Sequence, residues 1–355
     1  MVRVKLSGGV RVIACVAASS ATALTLAVLP PQAAAAPAGG TAAVAHLVSE
    51  TAGQGRQVEI SVYSPSMDRD IALQVLRAAD PTRPAPTLYL LNGAGGGEDA
   101  ATWLAQTDAA KFFADKQVNV VIPKEGAFSY YTDWQRADEG LAAKLGNNGK
   151  NMWATFLTEE LPPVIDSTFD STGANALAGI SMAGTSVLDL AIHAPELYRS
   201  VSAYSGCAMT SDPVGQSFVT LVVGLGKGDA ENMWGPTGGP GWKEHDPYLN
   251  ADRLPHIPMY ISSGSGLPGR HDTLADPGID DDGRVLANQV LLGGGIESAA
   301  NYCTVALAER TRALGRTDIT YNFHPEGTHS WGYWEDDLHK SWPMMAAAMG
   351  VDEPS

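Results

Sequence analysis

The sequence predicts an α/β protein with a mostly parallel central sheet, on three observations. Short apolar runs alternate with helix-like amphipathic segments along the chain. One run, Asn175 to Ile180, passes through Gly179-Ile180-Ser181-Met182-Ala183-Gly184 and continues at once as a helical pattern to His193. Ser181, the glycine-rich stretch from Asn92 to Glu98 and His329 each follow directly on such a run, the position at which open α/β sheets bind ligands. A serine, then an acid, then a histidine is the chain order of α/β-hydrolases. The expected fold is therefore an α/β-hydrolase fold, with helices on both faces of the sheet and an irregular cap segment.

The first elements are edge-like. Gln57 to Tyr63 alternates as a half-buried strand does, Ser66 to Asp70 is a turn, and Ile71 to Leu76 is a second strand. Together they predict an antiparallel hairpin at a sheet edge. Thr87 to Leu91 is a buried strand. It ends in Asn92-Gly93-Ala94-Gly95-Gly96-Gly97-Glu98-Asp99, which lacks the Walker lysine and the dinucleotide spacing. A glycine loop there can bring a backbone N–H close to a substrate oxygen, and Ala94 is the expected donor. Thr102 to Asp115 reads as a helix and Val118 to Ile122 as a strand. Phe128 to Trp134 is dense in aromatics, which suits contact with carbohydrate or an acyl chain, or packing beneath the loop. Trp153 to Ile165 is a helix broken near Pro162-Pro163.

A strand, one serine in a sharp turn and a helix starting at once are what a nucleophile elbow requires. The turn needs small residues two before and two after the serine, here Gly179 and Ala183. The helix that follows aims its first N–H groups at the space over Ser181, so Met182 is the other expected oxyanion donor. Ser200 to Ser205 is the next strand. Cys207 to Ile257 is long and irregular, as caps are. Pro258 to Ser262 is a strand, Gly264 to Gly295 a solvated loop, Glu297 to Leu314 a helix, Ile319 to Phe323 the last strand, and Tyr333 to Met349 the closing helix.

Ser181 needs a base, because a hydroxyl is a poor nucleophile until its proton is taken. Of the eight histidines, His324 and His329 lie in the segment between the last strand and the closing helix. His329, in Gly327-Thr328-His329-Ser330-Trp331, is the better placed, and His324 reads as structural. For the acid, position alone favours an aspartate soon after Ser262, either Asp272 or Asp276.

The chain opens with Arg3, Lys5 and Arg11, an apolar run from Val12 to Leu29 and a run of alanines. This is a signal peptide over residues 1–36, which predicts export to the cell envelope or medium. A flexible lead-in is expected over residues 37–55 and a single catalytic domain over residues 56–350. No later segment is long and apolar enough to span a membrane. Without Arg3, Lys5 and Arg11 the chain has 20 basic against 39 acidic residues, a formal charge of −19. Such a surface repels polyanions, so nucleic acid is excluded as a partner. Once Cys15 leaves with the signal, Cys207 and Cys303 remain. An even count in an oxidising compartment favours one disulfide over two buried thiols. Neither has a zinc-binding spacing, and no metal or organic cofactor is expected.

Several pieces in order resemble the antigen 85 family of mycolyltransferases. They are Ser66-Met67-x-Arg69-Asp70-Ile71, Leu90-Leu91-Asn92-Gly93, Tyr131-Thr132-Asp133-Trp134, Gly179-x-Ser181-Met182-x-Gly184, Met233-Trp234-Gly235-Pro236 and Gly327-Thr328-His329-Ser330-Trp331. The resemblance covers nearly the whole mature chain. It implies a glutamate acid at the start of the helix before the last strand, which selects Glu297 over Asp272. It also implies transfer of mycoloyl groups from trehalose monomycolate to a second such molecule or to arabinogalactan, with Asn92, Gly95, Ser205, Ser330 and Trp331 lining the sugar site. The family often carries aspartate at Asn92 and arginine at Gly95, and the form found here is closer to its corynebacterial and nocardial branch. The alternatives are a secreted carboxylesterase with the same triad and a non-catalytic glycan- or matrix-binding protein.

Overall fold

The structure is a computed structural model that describes residues 43–351. The signal peptide and the first part of the lead-in lie outside the described residues. Among the described residues the strands are β1 (His46–Ala52), β2 (Gln57–Ser64), β3 (Arg69–Leu76), β4 (Ala85–Leu91), β5 (Asn119–Pro123), β6 (Ser171–Ile180), β7 (Tyr198–Tyr204), β8 (Met259–Ser263) and β9 (Ile319–Phe323). They form one sheet in the order β1-β2-β3-β5-β4-β6-β7-β8-β9. Pairings from β1 through β5 on that edge are antiparallel. All others are parallel. The longer helices are α1 (Leu161–Phe169), α2 (Met182–His193), α3 (Pro213–Leu225), α4 (Gly294–Ala313) and α5 (Trp331–Met349).

The period-two alternation of strands divides the interior into two cores. Tyr89, Leu91, Leu177, Val201, Ala203, Met259 and Ile261 point to one face, where they pack on α1 and α2. Leu88, Leu90, Ala176, Ala178, Ile180, Tyr204 and Tyr260 point to the other, against α5, Trp103 and Phe113. Strands buried on both faces read as continuous apolar runs, which is why the central strands were legible.

Four expectations are corrected. The lead-in is not flexible throughout: His46–Ala52 is an edge strand paired with β2. It is exposed along nearly its whole length, so it has no alternation to read. Thr102 to Asp115 is two short helices, Trp103–Gln106 and Ala109–Phe112. The Pro162-Pro163 pair does not end the helix: Trp153–Thr155 runs through a π-helical turn at Phe156–Glu160 into α1, with both prolines in the first turn of α1. The segment before α4 is not all loop. Gly283–Asn288 is helical, capped by the Asp282 carboxylate, and runs through a π-helical turn at Gln289–Gly293 into α4.

Cys207 and Cys303 are bridged across 96 residues of sequence. The bond ties the start of the cap segment to α4. Replacing both cysteines with serine will lower stability by about 2–4 kcal/mol, since a closed loop of this length restricts the unfolded chain. Denaturant titration of the double variant checks this, with an unchanged midpoint as the contrary result. No helix among the described residues is long and apolar enough to cross a membrane.

Candidate active site

Ser181 sits between β6 and α2 with φ 55° and ψ −120°, a conformation that L-residues avoid. Its N–H donates to the Tyr204 carbonyl at 2.8 Å. The turn is tight enough to fix its neighbours. A Cβ on Gly179 would lie 2.8 Å from the Ala183 side chain, and one on Gly184 would lie 2.6 Å from the Tyr204 carbonyl oxygen.

His329, in the loop after β9, brings Nε2 to 2.7 Å from the Ser181 hydroxyl. Its Nδ1 lies 2.7 Å from Glu297 Oε2. Glu297 is in the first turn of α4 and is 1% exposed. Its other oxygen accepts the Gly264 N–H at 2.6 Å and the Ser205 hydroxyl at 2.8 Å. The Trp334 indole N–H in turn donates to Ser205 Oγ at 2.9 Å, and the Trp334 ring meets His329 edge to face at 4.9 Å between centroids. Both oxygens of this buried carboxylate are thus hydrogen-bonded.

Asp272, the acid that position favours, does not reach His329. Its carboxylate accepts from Thr328 Oγ1 at 2.6 Å, Gln289 Nε2 at 2.8 Å, the Gly269 N–H at 2.8 Å and the Tyr333 hydroxyl at 2.7 Å. It holds the histidine loop through the neighbouring threonine. Burial alone would push this carboxyl up, but those hydrogen bonds outweigh it and hold it below the ordinary aspartate value. Its stabilisation is therefore complete above about pH 3.9 and is lost as pH falls through the lower folded value. Asp272→Asn will cost about 1.5–3 kcal/mol at neutral pH, less at pH 3, because charge-assisted hydrogen bonds are removed. Thermal melts at the two pH values check both the size and the sign. Asp276 bonds His271 Nδ1 instead, at 2.9 Å. His324 contacts Asp337 at 2.9 Å, away from Ser181.

Met182 opens α2, so its N–H is one of the donors without an intrahelical acceptor. Gly93 packs directly on Ser181, since a Cβ there would lie 3.4 Å from the serine Cβ. Ala94 follows in a turn closed by Gly96 N–H to Gly93 O at 3.0 Å. The aromatic loop clamps both positions. The Phe128 N–H donates to the Ala94 carbonyl at 2.8 Å, and the Tyr130 N–H meets the Met182 sulfur at 3.4 Å. Phe128, Tyr130 and Tyr131 have φ of 60°, 54° and 45°, each costing about 1–3 kcal/mol for a bulky residue. Ser129 holds the loop in place, donating to the Gly126 carbonyl and accepting from the Tyr131 N–H and, through its own carbonyl, from the Trp134 indole. Tyr130 and Tyr131 are buried, so most of these rings pack beneath the loop.

The expected sugar-lining residues divide. Asn92 is 1% exposed and turned inward, donating to the Pro123 carbonyl and accepting from the Trp103 N–H. It shapes the loop and does not face a ligand. A Cβ on Gly95 would meet only the carboxylate end of the exposed Asp99 side chain, which can turn aside. Ser205 touches Glu297, a role that sequence alone did not suggest. Ser330 is buried beside Thr328. Trp331 is half-buried between Trp103 and Trp334.

Ser181 and His329 open onto a narrow cleft of about 50 Å³ walled by Tyr130, Thr185, Phe218, Val222, Ile296 and Ala300. The helix α3, which supplies Phe218 and Val222 to the cleft, also carries Leu221 and Leu225, 54% and 61% exposed, and Leu291 and Leu292 before α4 are 77% and 59% exposed. A larger groove of about 830 Å³ lies elsewhere, between the β2–β3 turn and Lys124, and contains none of these groups.

Residues 64–345 match the Esterase family, described as putative esterase. The chain is 31% identical over 297 residues to the diacylglycerol acyltransferase/mycolyltransferase Ag85A of Mycobacterium leprae, covering 82% of this chain and 83% of that protein. It is 31% identical over 306 residues to Ag85B of Mycolicibacterium smegmatis, with 82% and 85% covered. In structure it is similar to MPT51 (FbpC1) of Mycobacterium tuberculosis, with a TM-score of 0.65, 25% identity, and 81% of this chain and 96% of that one covered. The fold is shared with the serine hydrolase FphF of Staphylococcus aureus, at TM-score 0.57 and 17% identity over 82% of this chain and 99% of that one. By family, fold and relatives together, the chain belongs to the antigen 85 mycolyltransferases within the putative esterases, and it is an enzyme of the acyltransferase kind.

Proposed function

We propose that the protein is a secreted serine acyltransferase that moves mycoloyl groups from trehalose monomycolate to a second trehalose monomycolate or to arabinogalactan. The observation that carries this reading is the unbroken chain Ser181–His329–Glu297, with 2.7 Å at each link, at the mouth of an apolar cleft. The relatives named above supply the mycoloyl substrate; the apolar walls of the cleft, among them Phe218, Val222 and Ile296, suit an acyl chain.

His329 Nε2 takes the Ser181 proton as Oγ attacks the ester carbonyl, and Glu297 stabilises the imidazolium. The N–H groups of Met182 and Ala94 hold the tetrahedral oxyanion, each worth about 3–4 kcal/mol in comparable sites. Collapse breaks the ester bond, His329 protonates the departing trehalose oxygen, and acyl-Ser181 remains. The acceptor hydroxyl then repeats the sequence in reverse, losing its proton to His329. No step needs a metal or a redox group.

Product analysis with trehalose monomycolate tests the proposal. Dimycolate and free trehalose are the expected products. Free mycolic acid as the only acyl product would make the protein a carboxylesterase. Saturable glycolipid binding without turnover would favour a non-catalytic glycan-binding role.

A further inference from the structure

A second cluster of reactive side chains lies at the far end of α2 from Ser181. Asp189 and His193 are four residues apart and so share one face of the helix. His245 reaches them from the cap segment, just after the short helix Pro240–Glu244. His193 Nδ1 lies 3.2 Å from Asp189 Oδ1, and His245 Nδ1 lies 2.8 Å from Asp189 Oδ2. All three potential ligand atoms are within 4.8 Å of one another.

Hydrogen bonding alone leaves this cluster incomplete. Asp189 is 8% exposed, yet its Oδ1 receives no hydrogen bond. The nearest donor, His193 Nδ1, is instead directed at the Asp189 backbone carbonyl at 2.9 Å. A buried carboxylate oxygen without a partner is expensive, and this one lies 3.2 Å from the His193 imidazole nitrogen while its twin meets His245. We propose that Asp189, His193 and His245 form a binding site for a divalent transition cation of the zinc type.

The geometry fits that ion. Ligands at about 2.0–2.1 Å from a tetrahedral centre lie roughly 3.3–3.4 Å apart; the His193 contact at 3.2 Å is near this, and the His245 contact at 2.8 Å would open by about half an ångström. Two imidazoles and one carboxylate suit zinc or nickel and not calcium or magnesium, which favour all-oxygen shells. The negative end of the α2 dipole adds attraction for a cation. His245 is pre-set by stacking on Trp234, with rings 5.2 Å apart and 11° from parallel. The His193 side chain is 30% exposed and leaves an entry path. An ion here would fasten the cap to the helix that carries Ser181 without touching the reacting atoms.

The test uses the chelator-stripped mature chain. Isothermal titration with Zn²⁺ should give one site, and saturating Zn²⁺ should raise Tm by roughly 5 °C at a hundredfold excess over Kd. Asp189→Asn, which keeps shape and volume, and His193→Ala, at the exposed rim, should each weaken binding at least 100-fold. His256→Ala, whose side chain is 82% exposed and outside the cluster, should bind as the parent does. So should Ser181→Ala, whatever becomes of catalysis. Mg²⁺ and Ca²⁺ should shift nothing. Absence of saturable Zn²⁺ binding, or equal affinity in Asp189→Asn and the parent, would overturn the proposal. An anomalous peak at the zinc edge away from Asp189 would do the same.

Discussion

Ser181→Ala will lower kcat on the order of 10⁵- to 10⁶-fold while leaving the fold intact. The proposed nucleophile and base act as a unit, and losing either removes nearly all they contribute together. What survives is rate enhancement from binding and from the oxyanion donors. Stability will change little. Alanine at 181 inherits the same φ of 55°, so the turn strain is unaltered, and one hydrogen bond to His329 is lost. Mass spectrometry of the protein after brief exposure to an activated ester reads the outcome directly. The parent should gain one acyl group on Ser181, and the variant none. An acylated variant would move the nucleophile elsewhere and sink the mechanism.

Glu297→Gln will reduce kcat about 10³- to 10⁴-fold with little change in KM, for a reason specific to this site. Gly264 N–H can only donate, and Ser205 already accepts from the Trp334 indole, so its own proton is committed to residue 297. The amide oxygen of glutamine must therefore face those two donors. Its NH₂ group is then left facing His329 Nδ1. An imidazole that accepts at Nδ1 carries its proton on Nε2, and such an imidazole cannot take the proton of Ser181. The variant should be folded, bind substrate and stall at acylation. Removing Ser205 as well does not free the amide to flip, because the Gly264 N–H still requires its oxygen, so Ser205→Ala/Glu297→Gln should be as slow as the single variant. A single variant with near-parental kcat would return the acid role to another residue.

Much of this was legible in the chain. The central strands announce themselves because both faces are buried, and the elbow because Gly179, Ser181 and Gly184 allow no bulkier neighbours. Export is an expectation on residues outside the described range. β1 was hidden because an exposed edge strand has no apolar side to betray it. The acid was ambiguous from position, since Asp272 lies in the right stretch and is held by four hydrogen bonds; only family resemblance pointed to Glu297. Asn92 misled because an amide beside a catalytic loop looks like a ligand contact until its inward bonds are seen. His245 could not be joined to Asp189 by spacing, because the cap brings together residues 56 positions apart.

The separation between Ser181 and His329, 148 positions, bears on the life of the chain before it is complete. A polypeptide that emerges N-terminus first has made β4, β6 and the elbow before β9 exists. The serine then has no base until β9 and the loop after it have arrived, and Glu297 has no imidazole to orient. Contacts of such long sequence separation form late in folding. The growing chain is thus chemically silent toward esters in its surroundings, and reactivity switches on only when its last strand and closing helix dock.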